Sequence, residues 1–431
     1  MRIVEISEQL KPADVNRILI RAEQTIESVM DTVNTLIEEV SEHGERAIQR
    51  QVEQFDGVKN PILKVSQNQL DEALEGIDET LLEAMNESIS RLRVSSKDSM
   101  PKQVSTVFGS GSKVTQRYSP VDSVAIYAPG GKAVYPSSVI MNAVPAQVAG
   151  VKRIGLFSPA QENGLPAKQV LASAKLLGIE EVYSIGGVGA VAAAALGIES
   201  LQMQPFRMFT GPGNIYLAAA KRSLRGLIGI DSEAGPTEIM ILADETANPS
   251  HVAADLLSQA EHDENAACVL VTNSLKLAER VNQELEKTLI LTKNSERAGT
   301  SLTGPQSLIL VVESEQSMIT AANEYAAEHL SLQLADNEKF AEQITNAGAL
   351  FMGPYSPVSL GDYMAGSNHV LPTGGQGKHT SGLGVLSFLR AQQVVDYSKS
   401  DLLDLEQKLL SFSNAEGLPA HGEAISARRD D

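Results

Sequence analysis

Cysteine is almost absent from this sequence, because Cys268 is the only one in 431 residues. An internal disulfide is therefore excluded. Cys268 lies in the apolar run 266–271, which predicts a buried strand residue rather than a nucleophile. A zinc cluster built on several thiolates is also excluded, so any bound zinc would need nitrogen and oxygen ligands.

Basic residues are also scarce, with 35 lysines and arginines against 54 acidic residues and a net charge of −19. This balance argues against a broad nucleic-acid surface. No apolar run is long enough to span a bilayer, and the first residues lack the pattern of a signal peptide. We therefore expect a cytoplasmic protein that binds neither nucleic acid nor membranes.

Short apolar runs alternate with helical patterns from residue 121 to residue 352. This βαβ order predicts parallel sheets covered by helices, in two α/β units. The predicted strands of the first unit are residues 124–127, 153–157 and 181–185. Those of the second unit are residues 238–242, 268–271, 308–312 and 350–352.

The two ends of the chain differ from this middle part. Residues 12–55 and 66–93 have a helical period and predict a helical flank that packs on the main body. In the tail from residue 380, the pattern predicts two helices at 383–389 and 402–412, which would form a small separate unit. The last residues, 420–431, are polar.

Three loops rich in glycine and proline follow predicted strands, at residues 128–131, 210–214 and 234–237. Ligands of parallel sheets bind beyond the carboxyl ends of the strands, and glycine lets the backbone approach them closely. We expect these loops to form the walls of a site, with ordinary turns as the alternative. The G-x-G-x-x-A pattern at 187–192 is a weak dinucleotide fingerprint, because no strand-end acid follows about 20 positions later.

Six of the seven histidines follow position 250, and two polar pairs stand out among them. Gln259 and His262 end a predicted helix on one face, where an amide oxygen and an imidazole make half of a metal site. The alternative is a polar helix end on the surface. Glu328 and His329 follow another predicted helix and provide an acid and a base. The alternative there is a histidine that stabilises a helix C-terminus.

Two further candidates lie near the end of the chain. Asp362 is either a carboxylate metal ligand or part of an Asx turn. His421 follows a glycine and a proline, so it is either exposed or reaches into another subunit.

Read together, these motifs resemble the histidinol dehydrogenase family over nearly the whole chain. The segments that carry the resemblance follow the family's order. They are residues 55–57, 127–131, 135–138, 211–214, 235–238, 258–262, 328–330, 361–363, 368–373 and 420–423.

The resemblance implies an α/β fold with two incomplete Rossmann-like domains, small helical units at both ends, and a domain-swapped homodimer with shared active sites. The expected division is an N-terminal helical unit (1–24), a first Rossmann-like domain with the metal and acid/base residues (25–124 plus 237–379), a second with the NAD contacts (125–236), and a swapped C-terminal unit (380–431). The implied activity is the zinc- and NAD-dependent, four-electron oxidation of L-histidinol to L-histidine through histidinal, a step of histidine biosynthesis.

The resemblance also implies roles for individual residues. The Zn²⁺ ligands would be Gln259, His262, Asp362 and, from the partner subunit, His421. The acid/base pair would be Glu328 and His329. The substrate would contact these metal ligands, His329, Thr237 and, from the partner subunit, His369 and Glu416. NAD would contact Tyr127, Gly189 and Asn214.

One position departs from the family pattern. The family usually carries glutamine at the position of Gly189, whereas the run here is Gly186-Gly187-Val188-Gly189. Loss of the amide predicts weaker NAD binding, so Gly189→Gln is expected to lower the Michaelis constant for NAD.

The same departure favours an alternative, a paralogous zinc- and NAD-dependent dehydrogenase of another polar alcohol such as a sulfonated propanediol. His369 and Glu416 favour a substrate with an imidazole and an amine. A third hypothesis is a non-catalytic metal- or nucleotide-binding relative, against which the intact Glu328-His329 pair argues.

Overall fold

The computed structural model describes residues 1–22, 26–130 and 133–429. Gly131, the predicted domain boundary between residues 24 and 25, and the last two residues of the chain lie outside the described residues. Fourteen strands and eighteen α-helices occur within the described ranges. No helix in these ranges is long and apolar enough to cross a membrane.

The strands are β1 (Arg2–Ile6), β2 (Val104–Phe108), β3 (Ser112–Pro120), β4 (Ser123–Tyr127), β5 (Arg153–Phe157), β6 (Glu181–Tyr183), β7 (Met208–Thr210), β8 (Gly229–Ile230), β9 (Glu238–Ala243), β10 (Ala267–Thr272), β11 (Leu308–Val312), β12 (His329–Gln333), β13 (Ala349–Met352) and β14 (Leu389–Asp396).

The helices are α1 (Pro12–Ile18), α2 (Met30–His43), α3 (Glu45–Phe55), α4 (Gln67–Glu75), α5 (Glu79–Asp98), α6 (Pro136–Ala149), α7 (Lys168–Leu176), α8 (Gly187–Leu196), α9 (Ile215–Leu224), α10 (Pro249–Ala260), α11 (Leu275–Leu289), α12 (Ser295–Thr303), α13 (Glu315–Tyr325), α14 (Asn337–Ala341), α15 (Val358–Tyr363), α16 (Lys399–Asp404), α17 (Glu406–Ala415) and α18 (Pro419–Ser426). Short 3-10 turns occur at Ile26–Val29, Glu199–Leu201, Gln376–Lys378 and Val385–Phe388.

The six-stranded sheet is parallel throughout, in the order β1-β11-β10-β9-β12-β13. Every residue of β9 and β10 is buried, as expected for central strands covered by helices on both faces. The N-terminal segment was expected to be helical, but it begins with strand β1, which pairs with β11 at the sheet edge. The predicted α/β architecture with parallel sheets is confirmed.

The five-stranded sheet is also parallel, in the order β6-β5-β4-β7-β8. Helix α8 is rich in alanine, a strong helix former whose small side chain lets neighbouring helices pack closely. Val40, Ile48 and Val52 of α2 and α3 pack in one core with the buried face of α8. Helices α4 and α5 pack on α7 and α6. Residues 30–98 therefore cover the five-stranded sheet, whereas the resemblance implied that residues 25–124 belong with the other Rossmann-like domain.

A third, antiparallel sheet in the order β14-β3-β2 joins the tail to the middle of the chain. The helix predicted at 383–389 is wrong, because Val385–Phe388 is a single 3-10 turn and β14 follows it directly. Val385 and Phe388 are buried in the core beside α6, which leaves the next residues free to pair with β3. The helix predicted at 402–412 is divided between α16 and α17, and the polar end contains α18.

Asp401 anchors this tail to the β2–β3 hairpin. Its carboxylate accepts hydrogen bonds from the backbone nitrogens of Ser110 (3.0 Å) and Ser112 (3.2 Å) and from both hydroxyl groups. These donors favour the ionised carboxylate and hold the pKa of Asp401 well below its usual range. The charge of Asp401 on α16 therefore holds the C-terminal tail against the β2–β3 hairpin.

Candidate functional site

A pocket with a volume of about 710 Å³ lies between the two parallel sheets. On one side it is lined by residues that follow β4 and β7 in the five-stranded sheet, such as Pro129 and Asn214. On the other side it is lined by residues at the start of β9 and β12, such as Thr237 and His329. The pocket thus faces carboxyl ends of strands in one sheet and amino ends in the other. The loop 234–237 precedes a strand of the six-stranded sheet, contrary to the expected arrangement.

The acid/base candidates lie at the start of a central strand rather than at a helix end. Helix α13 ends at Tyr325, Ala326 turns the chain with a positive φ, and His329 is the first residue of β12. Glu328 and His329 are both buried and both line the pocket. Two buried ionisable side chains in a pocket wall form a candidate acid/base site.

A chain of hydrogen bonds fixes the Glu328 carboxylate. The Gln259 Nε2 donates to Thr237 Oγ1, and the Thr237 hydroxyl donates to Glu328 Oε2. The backbone nitrogen of Glu238 donates to the same oxygen at 2.9 Å. Because the Gln259 amide nitrogen is already used, its carbonyl oxygen is the atom left for another partner. The Thr237 hydroxyl, expected to contact substrate, links these two side chains.

The contacts of His329 define which ring nitrogen carries hydrogen when the ring is neutral. The Nδ1 atom lies 3.1 Å from the carbonyl oxygen of Glu238, which accepts hydrogen bonds but cannot donate one. Hydrogen therefore belongs on Nδ1. The Nε2 atom is buried and has no partner among the described residues, so its lone pair is available to accept a proton.

The metal candidates of this chain come from two helices. Asn248 caps α10 by accepting from the Ser250 amide, and the helix places buried Gln259 in its last turn. His262 lies just beyond the end of α10, not on the helix face predicted from the sequence. Asp362 lies on α15, and both His262 and Asp362 line the pocket.

Two expected site residues, the substrate contact Glu416 and the metal ligand His421, are not brought to this pocket. Glu416 and His421 are exposed on the C-terminal segment and do not line it. Within the described ranges, no group of three or more histidine, cysteine, aspartate or glutamate side chains is arranged to hold a metal ion. Of the expected metal ligands, His262 and Asp362 line the pocket of one chain, and Gln259 is buried behind it and bonded to Thr237 of the lining.

His369 was expected to come from a partner subunit, but it lines the pocket of its own chain. Its Nδ1 lies 3.0 Å from the Asp362 carbonyl oxygen, and its Nε2 lies 3.4 Å from Ser138 Oγ. Burial lowers the pKa of His369, so the ring is neutral at neutral pH. Ser138 belongs to the motif 135–138, for which the sequence indicated no role.

Two of the three NAD candidates line the pocket. The Tyr127 hydroxyl accepts from the Gly187 amide at 3.3 Å, and burial raises the pKa of Tyr127 to about 12. Asn214 also lines the pocket and caps α9 with its side chain. Gly189 does not line the pocket. A Cβ atom there would lie 2.9 Å from Gln51 Oε1 of α3. A side chain at position 189 would therefore point toward α3 and away from Tyr127 and Asn214.

An ion pair that the sequence did not predict also lies in the pocket lining, next to the acid/base pair. Arg21 Nε donates to the buried carboxylate of Glu238 at 2.7 Å, and its guanidinium carbon lies 3.9 Å from the centre of the Tyr325 ring. Burial raises the pKa of Glu238, and the positive charge of Arg21 opposes that shift. Since 217 positions separate the two residues, no local pattern connects them.

Comparison with known proteins gives consistent matches along the chain. A family model described as histidinol dehydrogenase matches residues 19–429. Histidinol dehydrogenase of Thermobifida fusca (strain YX) is 49% identical over 97% of this chain and 95% of its own. That of Mycobacterium tuberculosis (strain ATCC 25618 / H37Rv) is 48% identical over 97% and 96%. The crystal structure of histidinol dehydrogenase from Elizabethkingia anophelis superposes with a TM-score of 0.94, at 31% identity, over 99% of this chain and 98% of that one.

Proposed function

The chain belongs to the histidinol dehydrogenase family and is an oxidoreductase, and on that premise we propose that it oxidises L-histidinol to L-histidine with NAD and a bound zinc ion. The observation that carries the proposal is the buried Glu328-His329 pair, whose free Nε2 atom shares one pocket with His262 and Asp362. A base beside imidazole and carboxylate ligands suits oxidation of an alcohol held at a metal.

The residues present fit a zinc ion. The Gln259 amide nitrogen is bonded to Thr237, which leaves the carbonyl oxygen as its ligand atom. His262 and Asp362 add a nitrogen and an oxygen donor, and His421 from a second copy of the chain would complete four ligands. When bound, the zinc ion would supply a positive charge and open coordination positions that orient the substrate.

In the first oxidation, His329 acts as the base. Its Nε2 atom accepts the hydroxyl proton of the alcohol while the carbon is oxidised to the aldehyde. The Nδ1 hydrogen bond to the Glu238 carbonyl keeps the ring in this orientation and helps to stabilise the charge that the ring acquires. NAD, when bound, would accept the two electrons of each oxidation as a hydride.

In the second oxidation, Glu328 activates water. Its carboxylate, held by Thr237 and the Glu238 amide, accepts a proton from the water that adds to the aldehyde carbon. The resulting hydrate is again an alcohol, and its oxidation gives the carboxylic acid. One pocket with two separate proton acceptors therefore suits a four-electron reaction.

We also propose a homodimer with shared sites. Glu416 and His421 are exposed in this chain, so a second copy would supply them to the pocket. Exposed apolar side chains on the antiparallel sheet and the tail, among them Val104, Val107 and Phe412, support a surface that a second subunit covers. The paralogue alternative rested on Gly189, which does not line the pocket.

The test is a substrate panel with NAD, in which NADH formation is followed by absorbance. L-Histidinol should be oxidised with two NADH formed per molecule, and a chelator should abolish the activity until zinc is restored. Turnover of a sulfonated propanediol without turnover of L-histidinol would instead establish the paralogue. No turnover of any alcohol by zinc-loaded protein would contradict the proposal.

Variants separate the two proton acceptors. Glu328→Gln should retain the first oxidation and form about one NADH per substrate molecule when the aldehyde is trapped, because His329 is unchanged. His329→Asn should lose both oxidations. His379→Asn is the matched control, since His379 is exposed, outside the pocket lining, and bonded to Thr380.

A further inference from the structure

A buried ion pair joins two segments that line the pocket. Lys221 of α9 and Asp231, which follows β8, expose only 2% and 5% of their side chains, and Nζ lies 2.6 Å from Oδ1. Removing two charges from water costs free energy, and the interior compensates for it only when the remaining hydrogen-bonding groups are satisfied. The other partners of the pair therefore indicate what it holds in place.

Two of those partners are the backbone polar groups of one glycine. Lys221 Nζ donates to the Gly211 carbonyl oxygen at 2.6 Å, and the Gly211 nitrogen donates to Asp231 Oδ2 at 2.8 Å. Gly211 has a φ of +122°, and a Cβ atom there would lie 2.3 Å from the Tyr127 carbonyl oxygen. The ion pair thus fixes the closest approach between the 211–214 loop and the end of β4, on the wall that contains two NAD candidates.

The same ammonium group contacts the segment that leads to the opposite wall. Lys221 Nζ also lies 3.3 Å from the Ser232 carbonyl oxygen. Ser232 begins the segment 232–236, which lines the pocket and leads to Thr237, the residue whose hydroxyl bonds Glu328. One side chain therefore connects the candidate cofactor loop with the segment that leads to Thr237.

We propose that Lys221 and Asp231 are positioning residues for the dinucleotide, holding the 211–214 loop in the conformation that NAD binds and in register with Thr237. The inference rests on the proposed function. A pair that served stability alone would need no contact with the pocket. Arg153 and Glu181 form such a pair in the same sheet, 2.7 Å apart at the amino ends of β5 and β6, which is the end away from the pocket.

The first test variant is Asp231→Asn, which keeps the shape of the side chain. Asp231 accepts from Gly211 through one oxygen and from Lys221 through the other. In asparagine one of the two oxygens is replaced by an NH₂ group, which cannot accept a hydrogen bond. Either the bond from Gly211 or the bond from Lys221 must therefore break. Lys221→Met is the second variant and removes the bond to the Gly211 carbonyl. Arg153→Met is the control, because it removes a charge from the same sheet without contact to the pocket.

NADH binding is measured directly, by fluorescence titration of the full-length protein without alcohol, after circular dichroism confirms folding. Both variants should bind NADH at least about tenfold more weakly than the parent, the equivalent of one charge-assisted hydrogen bond. In steady state, the Michaelis constant for NAD should rise more than that for L-histidinol, because the bonds to Gly211 lie on the wall of the NAD candidates. Arg153→Met should bind NADH like the parent.

Each variant decides the question independently, so failure of one to fold leaves the other as the test. Parent-like NADH affinity in a folded variant would overturn the assignment. An equal loss in Arg153→Met would overturn it as well, because the effect would then reflect general loosening of the sheet. Absence of NADH binding in the parent would instead count against the proposed function, and the two failures are thereby distinguished.

Discussion

The Thr237 hydroxyl offers the sharpest test of the site, because it both accepts from Gln259 and donates to Glu328. Thr237→Val removes the hydroxyl with almost no change in shape. The Glu328 carboxylate would keep the Glu238 amide as its second donor. The Gln259 amide nitrogen would lose its acceptor, and with it the bond that orients the amide group.

The size of the effect follows from these contacts. A hydrogen bond to a charged group contributes about 1.5–3 kcal/mol. If all of it acts in the transition state of aldehyde oxidation, kcat should fall by about 10- to 150-fold, since about 1.4 kcal/mol corresponds to a factor of ten. The buried Gln259 donor left without a partner should lower the free energy of unfolding by about 1–3 kcal/mol. A freed amide should also retain zinc less well.

The assay combines NADH formation at saturating L-histidinol and NAD with the zinc content after dialysis. Thr237→Ser restores the hydroxyl and should recover kcat to within about threefold of the parent. Thr272→Val is a control in the same sheet, because its buried hydroxyl accepts from the Ser274 amide and Thr272 does not line the pocket; it should lose stability but keep kcat. A valine variant with the parent's kcat and zinc content would refute the link between Gln259 and Glu328.

Three further predictions test other parts of the structure. Gly189→Gln should lower the free energy of unfolding by about 1–3 kcal/mol, because its Cβ would meet Gln51, and should leave the NAD Michaelis constant unchanged, as thermal unfolding and an NAD titration would show. Because the pKa of Asp401 is lowered in the folded state, its ionised carboxylate stabilises the fold above the ordinary pKa of aspartate, and this stabilisation is lost as pH falls. The difference in melting temperature between parent and Asp401→Asn should therefore be large at pH 7 and narrow below about pH 4. Mixed dimers of His421→Ala and His329→Asn subunits should regain roughly a quarter of the parent activity if sites are shared, and none if each chain builds its own site.

The sequence predicted the strands whose apolar residues are continuous and missed those whose residues are mixed. Strands β9, β10 and β11 lie in the predicted positions because central parallel strands are apolar on both faces. Strand β12 alternates leucines with Ser331 and Gln333, and it directly follows a helix. Its buried polar side chains are tolerated because Gln333 Nε2 donates to the Gly353 carbonyl oxygen at 3.1 Å. That partner is far along the chain and leaves no local signal.

Packing partners were harder to predict than elements. The periodic apolar residues of α2 to α5 predict amphipathic helices, but the pattern does not indicate which sheet their apolar faces cover. Strand β14 is exposed along most of its length in one chain, so it lacks the buried, alternating face by which strands are recognised. For the site, motif order indicated Glu328, His329 and His262, whereas the Arg21–Glu238 and Lys221–Asp231 pairs depend on tertiary contacts alone.

The opposed orientation of the two sheets also gives the pocket an electrical polarity that does not depend on charged side chains. Helices α6 and α9 begin at the pocket wall formed by the five-stranded sheet, so their N-termini present partial positive charge there. Helices α10 and α13 end beside His262 and Glu328, and their last carbonyl groups present partial negative charge. The first wall favours anions such as the phosphates of a dinucleotide, and the second favours cations such as a metal ion or an ammonium group. The direction in which the chain runs through each sheet would therefore favour anionic ligands at one wall and cationic ligands at the other.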